Sequence, residues 1–382
     1  MSYELSEEQQ LIQQNAREFA QDYLGSITVQ LDKSDEYPAE AIQRMAELGF
    51  LGFCLPEEFG GAAVGYFGYV LAVEELSRVS AAVASILIEH ASLAAYAINR
   101  WGSATQKQEY LPALARGEKL GAFALNESGP AVGIGPDAVI ATAQSGGYVL
   151  NGRKSYVGNA GVAGLYVILG CTDKAAGAKS LTAFIVPANM PGIKVGPKKG
   201  KMGLHGYPSA DVVLENVVVS ESQVLGGVNA GQAIAAETMA AAAIAQAAQA
   251  VGITQKAVEH GADYAKQRVQ FGRPIASFQA VQSMLAEAAV NCHVARLAVY
   301  NAASLVEQGK SFEVEAAIVK LFTARFGQKA LVDIVQVEAG NGYSEEVDLA
   351  RLYREISGVT ILEGPMEFPE KLIASNIVGG VK

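Results

Sequence analysis

Hydrophobic positions along this chain change their period twice. Up to about residue 120 they recur at helical spacing. Leu11, Ile12, Ala16, Phe19, Ala20, Tyr23 and Leu24 form the first apolar stripe, and Ser6-Glu-Glu-Gln9 ahead of it matches a capping box. Pro38 suits the first turn of a second helix and Gly49 its end. Gly60-Gly61 breaks the chain before a longer helical stretch from about Tyr69 to Arg100. In the second region the runs shorten and become β-type: Ala122–Leu125, Val139–Ala143, Tyr148–Leu150, Leu165–Leu169, Leu181–Val186, Ile193–Val195 and Asp211–Leu214. Asn151-Gly152 reads as a hairpin turn, and the spacing of the runs suggests a small barrel or sandwich. From about Gly231 the pattern is helical again. Ala240–Ala243, with Ala245, Ala247, Ala248 and Ala250, has high helix propensity and lets neighbouring helices approach closely.

The expected architecture is therefore α+β and multidomain. A helical domain spans 1–120, a small β-barrel or sandwich 121–230, and a C-terminal helical bundle 231–382.

Composition narrows the function classes. Of 382 residues, 50% are apolar and only 18% charged, which leaves little polar surface and points to burial in an oligomer. A net charge of −10 excludes a nucleic-acid binder as the default, because phosphate backbones need a basic footprint. Cys54, Cys171 and Cys292 form neither a disulfide framework nor a zinc pattern, and a reducing cytoplasm fits them. The acidic start Met1-Ser-Tyr-Glu-Leu-Ser lacks signal-peptide character. The apolar stretch Ala81–Ile98 contains Glu89 and His90, which makes it a buried helix rather than a membrane span.

Chemistry-bearing motifs are sparse. Gly133-Ile-Gly135 runs into Pro136-Asp137, so no dinucleotide fingerprint is present, and HExxH and GxSxG are also missing. Two C-terminal clusters stand out. Arg268-Val-Gln-Phe271-Gly272-Arg-Pro274-Ile-Ala-Ser-Phe278-Gln279 reads as a helix end, a Gly-Pro turn and a renewed helix. Its guanidinium and amides could hold a pyrophosphate and its rings could pack on a cofactor, or it is an ordinary helical corner. Ile361-Leu362-Glu363-Gly364-Pro365 sets a carboxylate among apolar neighbours, where desolvation would raise its pKa toward a general-base value; a solvated loop glutamate is the alternative.

With these motifs the chain resembles the acyl-CoA dehydrogenase family over almost its whole length. The resemblance is carried in order by Gln106-Lys-Gln-Glu-Tyr110-Leu-Pro112, Gly121-Ala-Phe-Ala-Leu125, Leu150-Asn-Gly152-Arg-Lys154, Lys201-Met-Gly203, Tyr264-Ala-Lys-Gln-Arg268-Val-Gln-Phe271-Gly272, Gly340-Asn-Gly342-Tyr343, Arg351-Leu-Tyr353-Arg354 and Leu362-Glu363-Gly364. It implies a helical domain, a β domain and a C-terminal four-helix domain, with FAD held between the last two and reached by a neighbouring subunit. Phe123, Leu125, Asn126, Tyr156 and Gly158 match the wall along the flavin ring. Arg268, Gln270, Phe271, Ile275, Phe278 and Gln279, then Gln336 and Gly340, match segments that reach the partner's FAD; Pro365 and Glu367 match further cofactor contacts. Leu362 and Gly364 match substrate contacts, and Glu363 matches the catalytic base that takes the α-proton of an acyl thioester while hydride passes to flavin N5. The resemblance also implies a homotetramer, an electron-transferring flavoprotein as redox partner, and fatty-acid metabolism as the setting.

Several positions depart from the family pattern. Asn126-Glu127-Ser128 replaces Thr-Glu-Pro, Pro136 replaces a Ser, Gly158 replaces a Thr and Pro365 another Thr. Ala240 and Ala243 stand where the family carries Asp and Arg near the acyl carrier, and Ala242 where some branches place the base. These changes leave two alternatives open beside a working acyl-CoA enzyme: a dehydrogenase acting on a carrier-protein thioester, and a catalytically weak binding subunit of a mixed oligomer.

Overall fold

A computed structural model of the chain describes residues 4–127, 138–361 and 367–379. The N-terminal helices are α1 (Glu7–Glu18), α2 (Gly25–Ser34), α3 (Ala39–Glu47), α4 (Gly65–Ser77), α5 (Ala81–Ile88), α6 (Tyr96–Trp101) and α7 (Ala104–Ala115). A π-helical turn over Phe19–Leu24 joins α1 to α2, and another over Glu89–Ala95 joins α5 to α6. The capping box forms: Gln9 N–H donates to Ser6 Oγ at 3.2 Å and Ser6 N–H to Gln9 Oε1 at 3.0 Å. Pro38 precedes α3, and Gly49 ends that turn with φ +78°.

The β strands follow: β1 (Leu120–Ala124), β2 (Ile140–Gln144), β3 (Gly147–Gly158), β4 (Ala163–Cys171), β5 (Leu181–Pro187), β6 (Ile193–Val195), β7 (Ser209–Ser220) and β8 (Val224–Leu225). They make one eight-stranded sheet in the order β6-β7-β3-β2-β4-β5-β8, and β1 lies parallel to β4. Its inner faces bury Val139, Leu150, Tyr166, Phe184, Val212 and Val217.

One expected turn is corrected here. Asn151-Gly152 does not turn the chain; it lies inside β3, where the register with β7 shifts between Leu150 and Gly152. Gly152 has φ +142° and runs so close to β2's entry that a Cβ would stand 2.7 Å from Val139 Cα. Asn151 Oδ1 accepts the Asn216 N–H at 2.8 Å. The pair marks a bulge, and Ser145-Gly146 makes the turn between β2 and β3.

The C-terminal part holds α8 (Gly231–Gln267), a short hairpin β9 (Val269–Gln270) and β10 (Arg273–Pro274), α9 (Gln279–Glu307), α10 (Glu313–Glu338), α11 (Leu349–Ile361) and α12 (Glu367–Val378). The alanines of α8 allow close packing on α4, α9 and α10: Ala241, Ala242, Ala245, Ala247 and Ala248 are fully buried. Gly261 lets α10 approach until a Cβ would meet Ile334 Cγ2 at 2.7 Å. Two helical stretches, Ala81–Trp101 and Gly231–Gln267, are long and apolar enough to cross a membrane by composition, yet 94% and 72% of their apolar windows are buried within the fold.

The few charges of the core are paired. Glu74 on α4 accepts from Arg296 Nε at 2.8 Å and from the Tyr300 hydroxyl at 3.1 Å, both on α9. Burial pushes the Glu74 carboxyl up, and Arg296 pulls against that rise. On α11, Arg351 is clamped between Asp348 (2.7 Å) and Glu355 (2.6 Å), and burial lifts Glu355 to about 7. Arg296→Ala strands the Glu74 carboxylate and is expected to lower the unfolding free energy by about 3–5 kcal/mol, read from denaturant midpoints. Lys194→Ala, at an exposed pair with Glu215 (2.6 Å), should change it by about 0.5 kcal/mol or less. Equal losses for the two would refute the role given to the buried pair.

Candidate active site

The site begins at β1. This strand is buried along its whole length and bonds to β4 on one side only. Side chains satisfy its other edge. Phe123 N–H donates to Glu89 Oε1 at 2.6 Å, and Gly121 N–H to His90 Nδ1 at 3.0 Å. Asn159 Nδ2 donates to the Gly121 carbonyl at 3.2 Å and to that of Ile86 at 3.1 Å. Because His90 Nδ1 accepts, Nε2 carries the proton and points at the Leu51 carbonyl, 3.2 Å away. Burial pushes His90 down to about 4, which keeps it neutral.

Beyond β1, Leu125 and Asn126 are tied to β3. Lys154 Nζ, itself buried, donates to the Leu125 carbonyl at 3.1 Å and to Glu127 Oε1 at 2.6 Å. Ser155 N–H donates to the Asn126 carbonyl at 2.8 Å. The register of β3 with β7 shifts again between Lys154 and Val157, and Tyr156 at φ +53° turns outward there, 65% exposed. Lys199 Nζ lies 5.1 Å from the centre of its ring. Gly158 ends the strand beside Glu89 and Tyr207. Phe123, Leu125, Asn126, Tyr156 and Gly158 thus belong to one junction of β1 and β3.

The second group of expected residues is on the C-terminal helices. α8 stops at Gln267, and the chain makes a two-residue hairpin turn at Phe271-Gly272, with φ +51° and +77°. This replaces the expected Gly-Pro turn: Pro274 lies in β10, and positive φ at both central positions matches the twist of the strands. The Phe271 ring is 93% exposed and stands edge-on to Phe278, whose face carries the Arg273 guanidinium at 4.3 Å. An open cleft of about 810 Å³ runs beside the hairpin, lined by Arg268, Gln270, Phe271, Ile275, Phe278 and Gly340 among others. Gln279 opens α9, and Gln336 lies on the last turn of α10, both flanking the cleft in sequence. Ile275 and Phe278 pack in a small cluster with Ala265 and Val337, apart from the cluster that holds Phe123. Within one chain the two expected groups therefore form separate patches.

An uncoated aromatic ring beside guanidinium donors fits a ligand with flat rings and phosphates. A flavin dinucleotide has both, so the residues present fit the implied cofactor.

Leu362, Glu363, Gly364 and Pro365 lie outside the described residues, as do Ser128 and Pro136. α11 carries the chain up to them and α12 continues after them from Glu367, which is exposed. At the end of α11, Lys320 of α10 donates to the Val359 carbonyl at 3.3 Å and to Gln246 Oε1 of α8 at 2.7 Å. Ala240 and Ala243 are half-buried on α8, and the neighbouring Ala241 carbonyl accepts from the Tyr66 hydroxyl at 2.5 Å.

Several groups at the site escaped the sequence reading. Glu89 and His90 read as interruptions of an apolar run, and Tyr207 carries no motif; the one available signal is the polarity of Glu89 and His90 inside a buried helical stretch. The cleft also has an ion pair at its base: His260 Nδ1 meets Glu338 Oε1 at 2.5 Å, and Asn341 Nδ2 donates to Glu338 Oε2 at 3.1 Å. Glu338 raises the His260 pKa, Asp348 adds to the rise, and Lys256 and burial oppose it.

Comparison with known proteins bears on all three regions. Residues 6–118 match the N-terminal domain of acyl-CoA dehydrogenases, 122–217 the middle domain and 229–378 the C-terminal domain. A 3-(aryl)acrylate reductase of Clostridium sporogenes is 38% identical over 98% of this chain and 99% of its own length. The caffeyl-CoA reductase-Etf complex subunit CarC of Acetobacterium woodii is 34% identical over 98% of this chain and 99% of its own. Among solved structures, butyryl-CoA dehydrogenase from Megasphaera elsdenii superposes with a TM-score of 0.94 at 35% identity, covering 99% of this chain and 100% of that one. A PigA structure with FAD and proline superposes at 0.94 with 27% identity, covering 99% of each chain.

The cleft's ion pair should be visible in pH dependence. The pair favours the protonated ring, so its contribution is complete below about pH 6.5 and is lost as pH rises through the raised His260 value. The wild-type melting temperature should accordingly exceed that of His260→Gln by a margin that is constant on the acid side and shrinks above neutrality. A margin independent of pH would refute the assignment.

Proposed function

The chain belongs to the acyl-CoA dehydrogenase family, oxidoreductases acting on CH–CH groups, and from that premise we propose that it is an FAD enzyme interconverting an acyl thioester and its 2-enoyl form, with Glu363 as the α-proton base. The observation that carries this reading is the fully exposed Phe271 hairpin beside its arginine-bearing cleft, a cofactor arm with nothing in its own chain to hold. The other half of the cofactor site is the junction of β1 and β3, with Tyr156 turned outward.

Bound FAD supplies the hydride acceptor or donor for the substrate β-carbon. The protein does the rest. Arg268 and Gln270 hold the dinucleotide of the neighbouring subunit, and Phe271, Ile275 and Phe278 cover its rings, with Gln279, Gln336 and Gly340 on the rim. Pro365 and Glu367 add further cofactor contacts. Phe123, Leu125, Asn126, Tyr156 and Gly158 line the ring within the subunit. Glu363, between the substrate contacts Leu362 and Gly364, removes the α-proton in dehydrogenation or returns it in reduction. The shared cofactor makes the working unit an oligomer, a homotetramer in this reading, in the cytoplasm. An electron-transferring flavoprotein exchanges its electrons, as the name of the Acetobacterium relative suggests. Reductases and dehydrogenases both stand among the relatives, so the reading covers both directions.

CoA is the first carrier to test. Ala240 and Ala243 remove charged groups from the α8 face near the carrier, so a carrier-protein thioester is the second reading.

Purified protein should carry about one FAD per chain, seen in the visible spectrum; its absence would favour the binding-subunit alternative. Glu363→Gln should keep the FAD and slow its bleaching by substrate about a hundredfold or more. Unchanged bleaching would remove Glu363 from the mechanism. Matched acyl-CoA and acyl-carrier substrates, run over a panel of acyl groups, decide the carrier.

A further inference from the structure

The turn that ends α10 is strained and stapled. Asn341 N–H donates to the Glu338 carbonyl at 3.2 Å, which closes a two-residue turn over Ala339-Gly340. Ala339 stands there at φ +52° and ψ −129°, the first central position of a turn that favours glycine. The Glu338 carboxylate spans the same turn. Its Oε2 accepts from Asn341 Nδ2 at 3.1 Å, and its Oε1 meets His260 Nδ1 of α8 at 2.5 Å. Strain of this kind persists only where the surroundings over-determine it, and it clusters at ligand sites. The turn is part of the cleft's wall: Glu338, Ala339, Gly340 and Asn341 all line it. A Cβ on Gly340 would meet nothing within 4 Å, so the wall is open there. The helix that carries His260 brings Tyr264 and then Arg268 to the same cleft.

Glu338 is not placed to touch a ligand, because its side chain is fully buried and both oxygens are engaged. Its charge nevertheless matters to one. It belongs to the last residue of α10, the end of a helix where a carboxylate is disfavoured. Glu346 also lines the cleft, so an anion entering it meets acidic groups as well as Arg268. A protonated His260 cancels the Glu338 charge and is itself favoured at a helix C-terminus. We propose that Glu338 is a positioning residue for the cleft, and that its bond to His260 couples the binding of a phosphate-bearing dinucleotide there to the uptake of a proton. This rests on the flavin reading above, which puts that dinucleotide in the cleft.

The groups around His260 set the direction. Glu338 faces it from α10 and Asp348 from the segment ahead of α11, and both raise its pKa; Asp348 is itself held by Arg351. Lys256 and Asp263 face it from α8, and Lys256 and burial oppose the rise. The net shift is upward. While the ring is charged, the carboxylate is neutralised and the turn is held. Loss of the proton leaves an uncompensated negative charge at the base of the cleft. Affinity for the dinucleotide is therefore full on the acid side and falls as pH rises through the raised His260 value.

The test dilutes the purified FAD-loaded protein across about pH 6 to 9 and reads released flavin by its fluorescence. The wild-type dissociation constant should rise roughly fivefold or more over that range, with a midpoint above the ordinary histidine value. His260→Gln should bind weakly throughout, because it keeps a hydrogen bond but no charge. His260→Lys, charged over the whole range, should bind tightly throughout. Glu338→Gln should move the midpoint down toward the ordinary histidine range. A wild-type constant that does not change with pH overturns the coupling and leaves the flavin reading standing. So does a step that survives in His260→Gln, a step that stays in place in Glu338→Gln, or a His260→Lys that binds no better than His260→Gln. If His260→Gln fails to fold, His260→Lys and Glu338→Gln decide by the same criteria. A wild type that carries no FAD at any pH overturns both readings.

Discussion

The unpaired edge of β1 is the constraint on which the site depends. A buried backbone amide without a partner costs about 1–3 kcal/mol, and this strand presents Gly121 and Phe123 N–H groups away from its only neighbour, β4. His90 and Glu89 meet them, and Asn159 meets the Gly121 carbonyl. Neighbouring residues on an ordinary α-helix diverge, yet here two consecutive side chains serve alternate residues of one strand. The π-helical turn at Glu89–Ala95 begins where they are needed. Helical domain and β domain are consequently joined by specific polar bonds rather than by apolar contact alone. The carboxylate that caps the strand is also the one that holds Tyr207.

That sharing spreads the constraint across the molecule. Tyr207 is fixed by a loop whose bonds run to Asp32 and Asp35 at the end of α2, and Arg354 ties the same region to α11 through Asp32 (3.0 Å) and Met202. α11 in turn leads the chain to residues 362–366, and its last turn is pinned by Lys320 to α8. One bonded path therefore connects the junction of β1 and β3 to the end of α11. Low overall charge fits this: the core keeps ionisable groups where they bind two elements together, as Glu74 of α4 and Arg296 of α9 do.

Much of the architecture was legible because it depends on local periodicity. The alternation of helical and β-type runs, the Ser6 cap and the alanine-rich α8 each need only neighbouring residues. The Arg268–Gln279 segment stands out in the sequence because its residues are contiguous, though its turn falls at Phe271-Gly272 rather than at Gly-Pro. What failed were positions whose meaning depends on a distant partner. Asn151-Gly152 has the composition of a turn, but the approach of Ala138 and Val139 and the bond from Asn216 make it a bulge. Gly158 read as a missing hydroxyl because Tyr207, which occupies its space, is remote in sequence. Glu89 and His90 read as defects in an apolar helix because the strand edge they satisfy is not adjacent to them.

The hairpin poses the opposite problem, a local structure with no local reason. Phe271 is held at positive φ, which a bulky residue adopts at a cost, and its ring projects into solvent. Among the described residues its one ring partner is Phe278, edge-on. The helix that follows, α9, also exposes Val290, Val294 and Leu297, spaced to share one face. An isolated chain would gain from losing all four apolar side chains. In the proposed oligomer a second copy covers them, and a turn already fixed at its tip loses little further entropy on docking. In the proposed function, the features that look wasteful in one subunit are what would let two subunits complete one cofactor site.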